Sequence, residues 1–370
     1  MRKLIPVTVL SLSAVLVAGP AYSQEVPVTA LTQADRVCER GFTKIVGIKE
    51  LRDRRVVLVD EIERLILVLD SALANGQPVG REGAGPGEYR VPSRMFSLTG
   101  DSSAVLDTPN RRLLVLSSDA EPAGVVNFAA GIGTLRGSDA RGRFYSAWQG
   151  AVRRWTPSAE TLDTVASYPV VRNPRSREVA GVRVTSAEDI DPFRARTLWA
   201  VAPDGSVAVV HPDPYRVEVF GNDGSRTEGP VIPVEAVRVT EGHKEQWRKE
   251  TSRPSTVTTV TRGAAAPTYR TMVTPTVEPS HWSEYLPPFL RDAATFAPDG
   301  RLWVQRSAPA DAPPIFDVFD SKGVRVGQIT LPPGRELIGF GKNALYAAVR
   351  DDFDLMYLER YDLAGAGIPS

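Results

Sequence analysis

Two stretches decide the fold: Trp199-Ala200-Val201-Ala202-Pro203-Asp204-Gly205-Ser206-Val207 and Ala294-Thr295-Phe296-Ala297-Pro298-Asp299-Gly300-Arg301-Leu302. Each sets Ala-Pro-Asp-Gly between two apolar runs. Asp-Gly flanked by alternating apolar residues is a strong hairpin signal, because the turn needs a positive φ that glycine adopts at little cost. A second turn follows each at a similar distance, Val219-Phe220-Gly221-Asn222-Asp223-Gly224 and Val318-Phe319-Asp320-Ser321-Lys322-Gly323. The unit is therefore strand, turn, strand, loop, strand, turn, strand.

Such a unit is one four-stranded antiparallel meander, the size of a propeller blade. Weaker copies occupy residues 56–77, 96–128 and 134–165, and a sixth opens at 337. The sixth lacks a fourth strand before the chain ends. Residues 25–31 alternate in the right way to supply it, which would close the ring and leave no exposed edge. Residues 236–290 break the rhythm and read as one partly helical insertion, with Thr240 as N-cap of a helix over 240–250. The rest divides into about 49 residues per blade, near the size expected of such repeats. The expected fold is thus all-β, a six-bladed β-propeller of four-stranded antiparallel blades.

The first residues read as an export leader rather than as fold. Arg2 and Lys3 precede an uncharged apolar run, and Ala21-Tyr22-Ser23 offers a cleavage site before Gln24. The domain plan is a signal peptide over 1–23 and a single propeller over 24–370. The expected address is periplasmic or extracellular, without a membrane span in the mature chain. Losing two basic residues with the leader makes the balance slightly acidic, which argues against a nucleic-acid partner. The single cysteine, Cys38, has no internal disulfide partner and reads as a small buried hydrophobe.

Residues 80–92, Gly80-Arg81-Glu82-Gly83-Ala84-Gly85-Pro86-Gly87-Glu88-Tyr89-Arg90-Val91-Pro92, carry a more specific signal. With Asp107-Thr108-Pro109-Asn110-Arg111-Arg112-Leu113 downstream, this stretch resembles the NHL-type repeat. The whole chain is similar to six-bladed propellers of the NHL-like or TolB-like kind. The closely spaced glycines read as a tight crossover between blades, with Tyr89 packing beneath. A phosphate loop would need a following helix, and here a strand follows.

Chemistry is harder to place. The chain has no His-Glu-x-x-His, cysteine pair, Gly-x-Ser-x-Gly elbow or Gly-Lys-Ser/Thr loop. Its three histidines, His211, His243 and His281, lie far apart in sequence, and their spacing selects no metal. Asp107, Asn110 and Asp213 sit in loops where calcium could be held, although Asp and Asn are also ordinary turn residues. No metal site or cofactor is expected, and calcium is the one ion kept open. Trp282, within His281-Trp282-Ser283-Glu284-Tyr285, is either a binding contact or a plug that pins the insertion. The candidate binding residues are His211, Asp213, His281, Trp282, Glu284 and Tyr285, and no catalytic residue is assigned.

The first functional reading is a monomeric binding or scaffold propeller of the cell envelope, meeting a protein, peptide or carbohydrate ligand at one face. One alternative is a divalent-metal-dependent hydrolase or lyase with its site in the central channel. The other is a carbohydrate- or peptide-recognition module, which exposed Trp282, Tyr285 and Trp148 on one face would favour.

Overall fold

The structure is a computed structural model. It describes residues 26–365 apart from 129–130, 171–176, 180–181, 185–190, 254, 260–267, 273–277 and 280. The leader, residues 1–23, lies outside the described residues.

Six antiparallel blades surround one axis. Their inner strands are Ile45–Glu50, Pro92–Ser97, Leu135–Ser138, Leu198–Val201, Ala294–Phe296 and Arg335–Gly341. The second strands are buried on both faces. Val56, Val57, Leu58 and Val59 are each 0 % exposed, so successive side chains point into the blades on either side. The core is accordingly divided into six apolar layers, one at each seam between neighbouring blades.

The turns that announced the fold share one construction. Gly205 N–H donates to Ala202 O at 2.9 Å, and Gly300 N–H donates to Ala297 O at 3.0 Å. The glycines follow at φ 92° and 84°. This is a four-residue turn capped by a left-handed residue, not the two-residue Asp-Gly hairpin.

The closing strand is corrected by the structure. Residues 25–31 do not complete blade six. Val28–Ala30 instead adds a fifth, parallel strand to Arg325–Thr330 at the edge of blade five. The fourth strand of blade six is Arg36–Val37, antiparallel to Met356–Asp362. Buried Leu31 packs in the seam between blades five and six.

The glycine run is a crossover, as expected. Arg112 donates to Ala84 O, Gly85 O and Glu88 O at 2.8–3.0 Å, and Asn110 Nδ2 donates to Gly83 O at 2.9 Å. Asp107 accepts from the backbone of Arg90 and Val91. Tyr89, 2 % exposed, accepts from Ile66 N–H with its hydroxyl.

Glycine also recurs where inner strands approach each other. A Cβ on Gly137 would meet Val201 Cγ2 at 2.9 Å, one on Gly47 would meet Met95 Cβ at 3.0 Å, and one on Gly339 would meet Ile48 Cγ1 at 3.1 Å. Gly137→Ala is expected to lower the unfolding free energy by about 1–3 kcal/mol through overpacking, read from the midpoint of a urea titration.

Candidate functional site

All inner strands run the same way, so they start on one face of the ring. The crossovers and the turns between second and third strands lie on that face too. The insertion is the crossover from blade four to blade five, and it therefore covers the same face.

Its two ends are fastened together. Val239 N–H donates to Glu284 O and Leu286 N–H to Val237 O, at 2.9 and 2.8 Å. Ile232 and Phe289 are buried in the seam between blades four and five. Between these ends the helix Glu241–Thr251 lies over blades five and six. Thr240 caps it, and His243 takes the third helical position that Glu or Gln fills in a capping box. Thr240 N–H donates to His243 Nδ1 at 3.0 Å, while His243 Nε2 lies 3.1 Å from Ala308 O. A carbonyl only accepts, so the proton sits on Nε2 and the ring joins the helix start to blade five. At the other end Arg253 meets Asp354 of blade six at 3.0 Å.

The sequence-derived candidates are thereby placed. Trp282 meets Trp247 edge-on at 5.3 Å and Phe193 at a tilt at 5.4 Å, with Lys244 and Arg248 over its ring. Ser283 donates to Asp191 at 2.6 Å, and exposed Glu284 pairs with Arg238 at 2.9 Å. His281 and Tyr285 are exposed on the same segment. His211 stands apart, on the second strand of blade four, 3.1 Å from buried Glu218. Asp213 lies in the exposed turn just beyond it. The structure thus brings together residues 281–285 and leaves His211 and Asp213 outside that group. Among the described residues, no three His, Cys, Asp or Glu side chains are placed to hold a metal.

The channel mouth carries residues that the linear sequence did not single out. Inner strands of blades one, two, three and six each contain a register shift, at Val46, Ser93–Arg94, Arg136 and Ile338. Such bulges re-aim side chains. Arg136 reaches past blade four to Asp292 at the start of blade five, 3.0 Å away. Arg94 Nη1 donates to Arg136 O at 3.4 Å. Arg194, Arg196 and Arg291 flank the adjoining inner strands of blades four and five. Enclosure, then Arg136, pushes Arg94 below the ordinary arginine value; enclosure, then Arg291 and Arg194, does the same to Arg196.

On the other side of the mouth stands Glu336. It is open to solvent yet surrounded by protein, and this enclosure holds its carboxyl above the usual glutamate range. Glu250 adds to the rise, while Arg350 and Arg253 oppose it. The signal that could have found the mouth is an arginine near the start of four successive blades, visible once the repeats are set in register.

A separate cleft of about 660 Å³ opens on the opposite face, at the seam between blades six and one. Two of its cations are paired within the protein, Arg360 with Asp35 and Glu50, and Arg52 with Asp101, while Arg54, Lys342 and Asp362 also line it. The insertion-bearing face, which adds an anchored irregular segment to the channel mouth, is the better candidate.

No family model matches the chain, and no curated protein does. Among solved structures it is similar to a gluconolactonase from Xanthomonas campestris, at 13% identity and TM-score 0.45, covering 89% of this chain and 88% of that one. It is also similar to a calcium-binding regucalcin from Agrobacterium tumefaciens, at 12% identity and TM-score 0.40, covering 90% and 98%. A third is virginiamycin B lyase from Staphylococcus aureus, at 9% identity and TM-score 0.41, covering 90% and 98%. Likeness at this level carries nothing about activity.

Two outcomes test the site. Trp282→Ala is expected to loosen the insertion by about 1–3 kcal/mol, seen as faster proteolytic cleavage within 236–290 while the blades stay resistant. Glu336 holds its proton more tightly folded than unfolded. The stability it contributes is present below about pH 4.3, the ordinary glutamate value, and is lost as pH rises through its folded value. Glu336→Gln should therefore melt above wild type at neutral pH, with the difference shrinking toward about pH 4.

Proposed function

We propose that the chain is an exported binding propeller whose ligand lies on the insertion-bearing face. One observation carries the reading. Trp148, Tyr285 and Phe353 are 62 %, 46 % and 86 % exposed, on three separate loops of that one face. Exposed aromatic side chains on loops held by a rigid ring suit recognition of a sugar ring or a peptide side chain. His281 and Glu284 lie beside Tyr285 and extend the same surface, and Trp282 holds it in place. His211 and Asp213 belong to the turn side of blade four and offer a rim contact. The leader-like start supports a periplasmic or extracellular address, with the chain acting as a monomer. The crossover over 80–92, braced by Asp107, Asn110 and Arg112, supports an NHL-like subtype.

A second reading, a hydrolase or lyase working in the channel, is favoured by Glu336. A carboxyl held toward its protonated form at the channel mouth is what a general acid requires. Calcium in the same channel would belong to that reading. Turnover of ester or lactone probes that Glu336→Gln abolishes would move the assignment there.

The binding reading is tested on glycan and peptide arrays. Wild type should retain a defined set of glycans or peptides. A triple Trp148→Ala, Tyr285→Ala, Phe353→Ala variant should lose about tenfold or more of that signal. Equal retention by both chains overturns the reading.

A further inference from the structure

We propose that the channel mouth is an oxyanion site, which takes a carboxylate-, phosphate- or sulfate-bearing small molecule between Arg94, Arg136, Arg196 and Arg291. The inference rests on the reading of this face as the binding face, and it names the chemistry that the mouth recognises.

The first observation is an imbalance of charge. Blades two to five bring Arg94, Arg136, Arg194, Arg196 and Arg291 to one arc of the mouth. Asp292 forms an ion pair with Arg136, and at longer range it and Glu61 also attract Arg94. Asp191 is engaged by Ser283 and by the backbone N–H of Phe193. Among the described residues no carboxylate pairs with Arg94, Arg194, Arg196 or Arg291. Elsewhere in the ring, arginines that approach the core have acidic partners, as Arg143 has Asp139 and Arg335 has Glu359.

The second observation is backbone geometry. The bulges at Ser93–Arg94 and Arg136 turn two of these side chains away from the regular alternation of their strands. Neither bulge is needed for blade formation, since the inner strands of blades four and five pair without one.

Physical chemistry joins the two. Arginine stays charged at any pH at which the protein is folded. Crowded like charges that outnumber their counter-charges destabilise the fold even where, as here, the side chains reach solvent, and concave walls focus their field into the opening. An oxyanion seated there relieves the repulsion. The planar guanidinium offers paired N–H donors that match carboxylate or phosphate oxygens. Glu336, across the mouth, sets a polarity: the anionic end of a ligand lies toward blades two to five.

The test is calorimetric titration of the full chain with citrate, inorganic phosphate and sulfate, against sodium chloride at matched ionic strength. At least one oxyanion should bind saturably, and the one preferred identifies the group recognised. Arg196→Gln and Arg291→Gln should each weaken that binding about tenfold, the loss of one charge-assisted hydrogen bond. Arg52→Gln, on the opposite face, should leave it unchanged. Without oxyanion both mouth variants should melt at or above wild type, because each removes a repelling charge. General salting-out by sulfate or phosphate acts on all these chains alike, so it does not mimic the result. Absence of saturable binding by any of the three anions, or equal binding by the mouth variants, overturns the proposal. Array binding without oxyanion binding strikes this inference alone. Oxyanion binding with unaltered array retention by the aromatic variant strikes the broader reading alone.

Discussion

Each blade is apolar on both faces and so needs a neighbour on either side. In a row of sheets the two end faces would stay wet; a ring removes both ends. Everything else depends on the seam between blades six and one, where the ring shuts. That seam buries Cys38, Phe42, Leu58, Leu67, Tyr346 and Leu358 in one apolar layer. Its edge is polar, with Tyr346 donating to Glu50 at 2.6 Å and Arg360 held by Asp35. The strand Arg36–Val37 is short, but it covers the last open row of backbone donors and acceptors on blade six.

The closed ring then serves as a fixed base for irregular chain. The insertion enters and leaves beside buried Ile232 and Phe289, so its position is set by the core between blades four and five. His243 and Arg253 attach the helix to two further blades. Trp282 fills the space between helix and returning chain. The surface beyond these anchors is free to carry exposed side chains, because none of them is needed to hold the ring.

Glycine and apolar alternation made the stronger blades legible. The weaker ones often use the same turn without glycine, although blade three keeps Gly142 there. Arg54 holds a φ of 67° where Gly205 and Gly300 sit in the clear copies, and Leu73 and Ala120 hold 63° and 67° where Gly224 and Gly323 sit. In those places packing of the blade holds a left-handed residue that local preference disfavours. The closing strand was misplaced for a related reason. Residues 28–30 do form a strand, yet alternation says nothing about which edge a strand joins, and Arg36–Val37 is too brief to show a period. The insertion and its capped helix were visible as broken rhythm. The short hairpin Arg177–Val179 with Val182–Val184 was not. The arginine mouth was illegible in linear order, because its members are about 200 residues apart at the extremes and meet only when blades two to five stand side by side.

The joining of Arg36–Val37, near the start of the described chain, to the last strand has a consequence in time. Arg36 pairs with Arg360, so the final seam cannot form until nearly the whole chain is present. Contacts between such distant residues carry the largest loop-closure cost and tend to form late. Until then blade six presents an uncovered edge and blade one an uncovered face. Folding of this protein is therefore a race between one long-range closure and the association of open rings with one another.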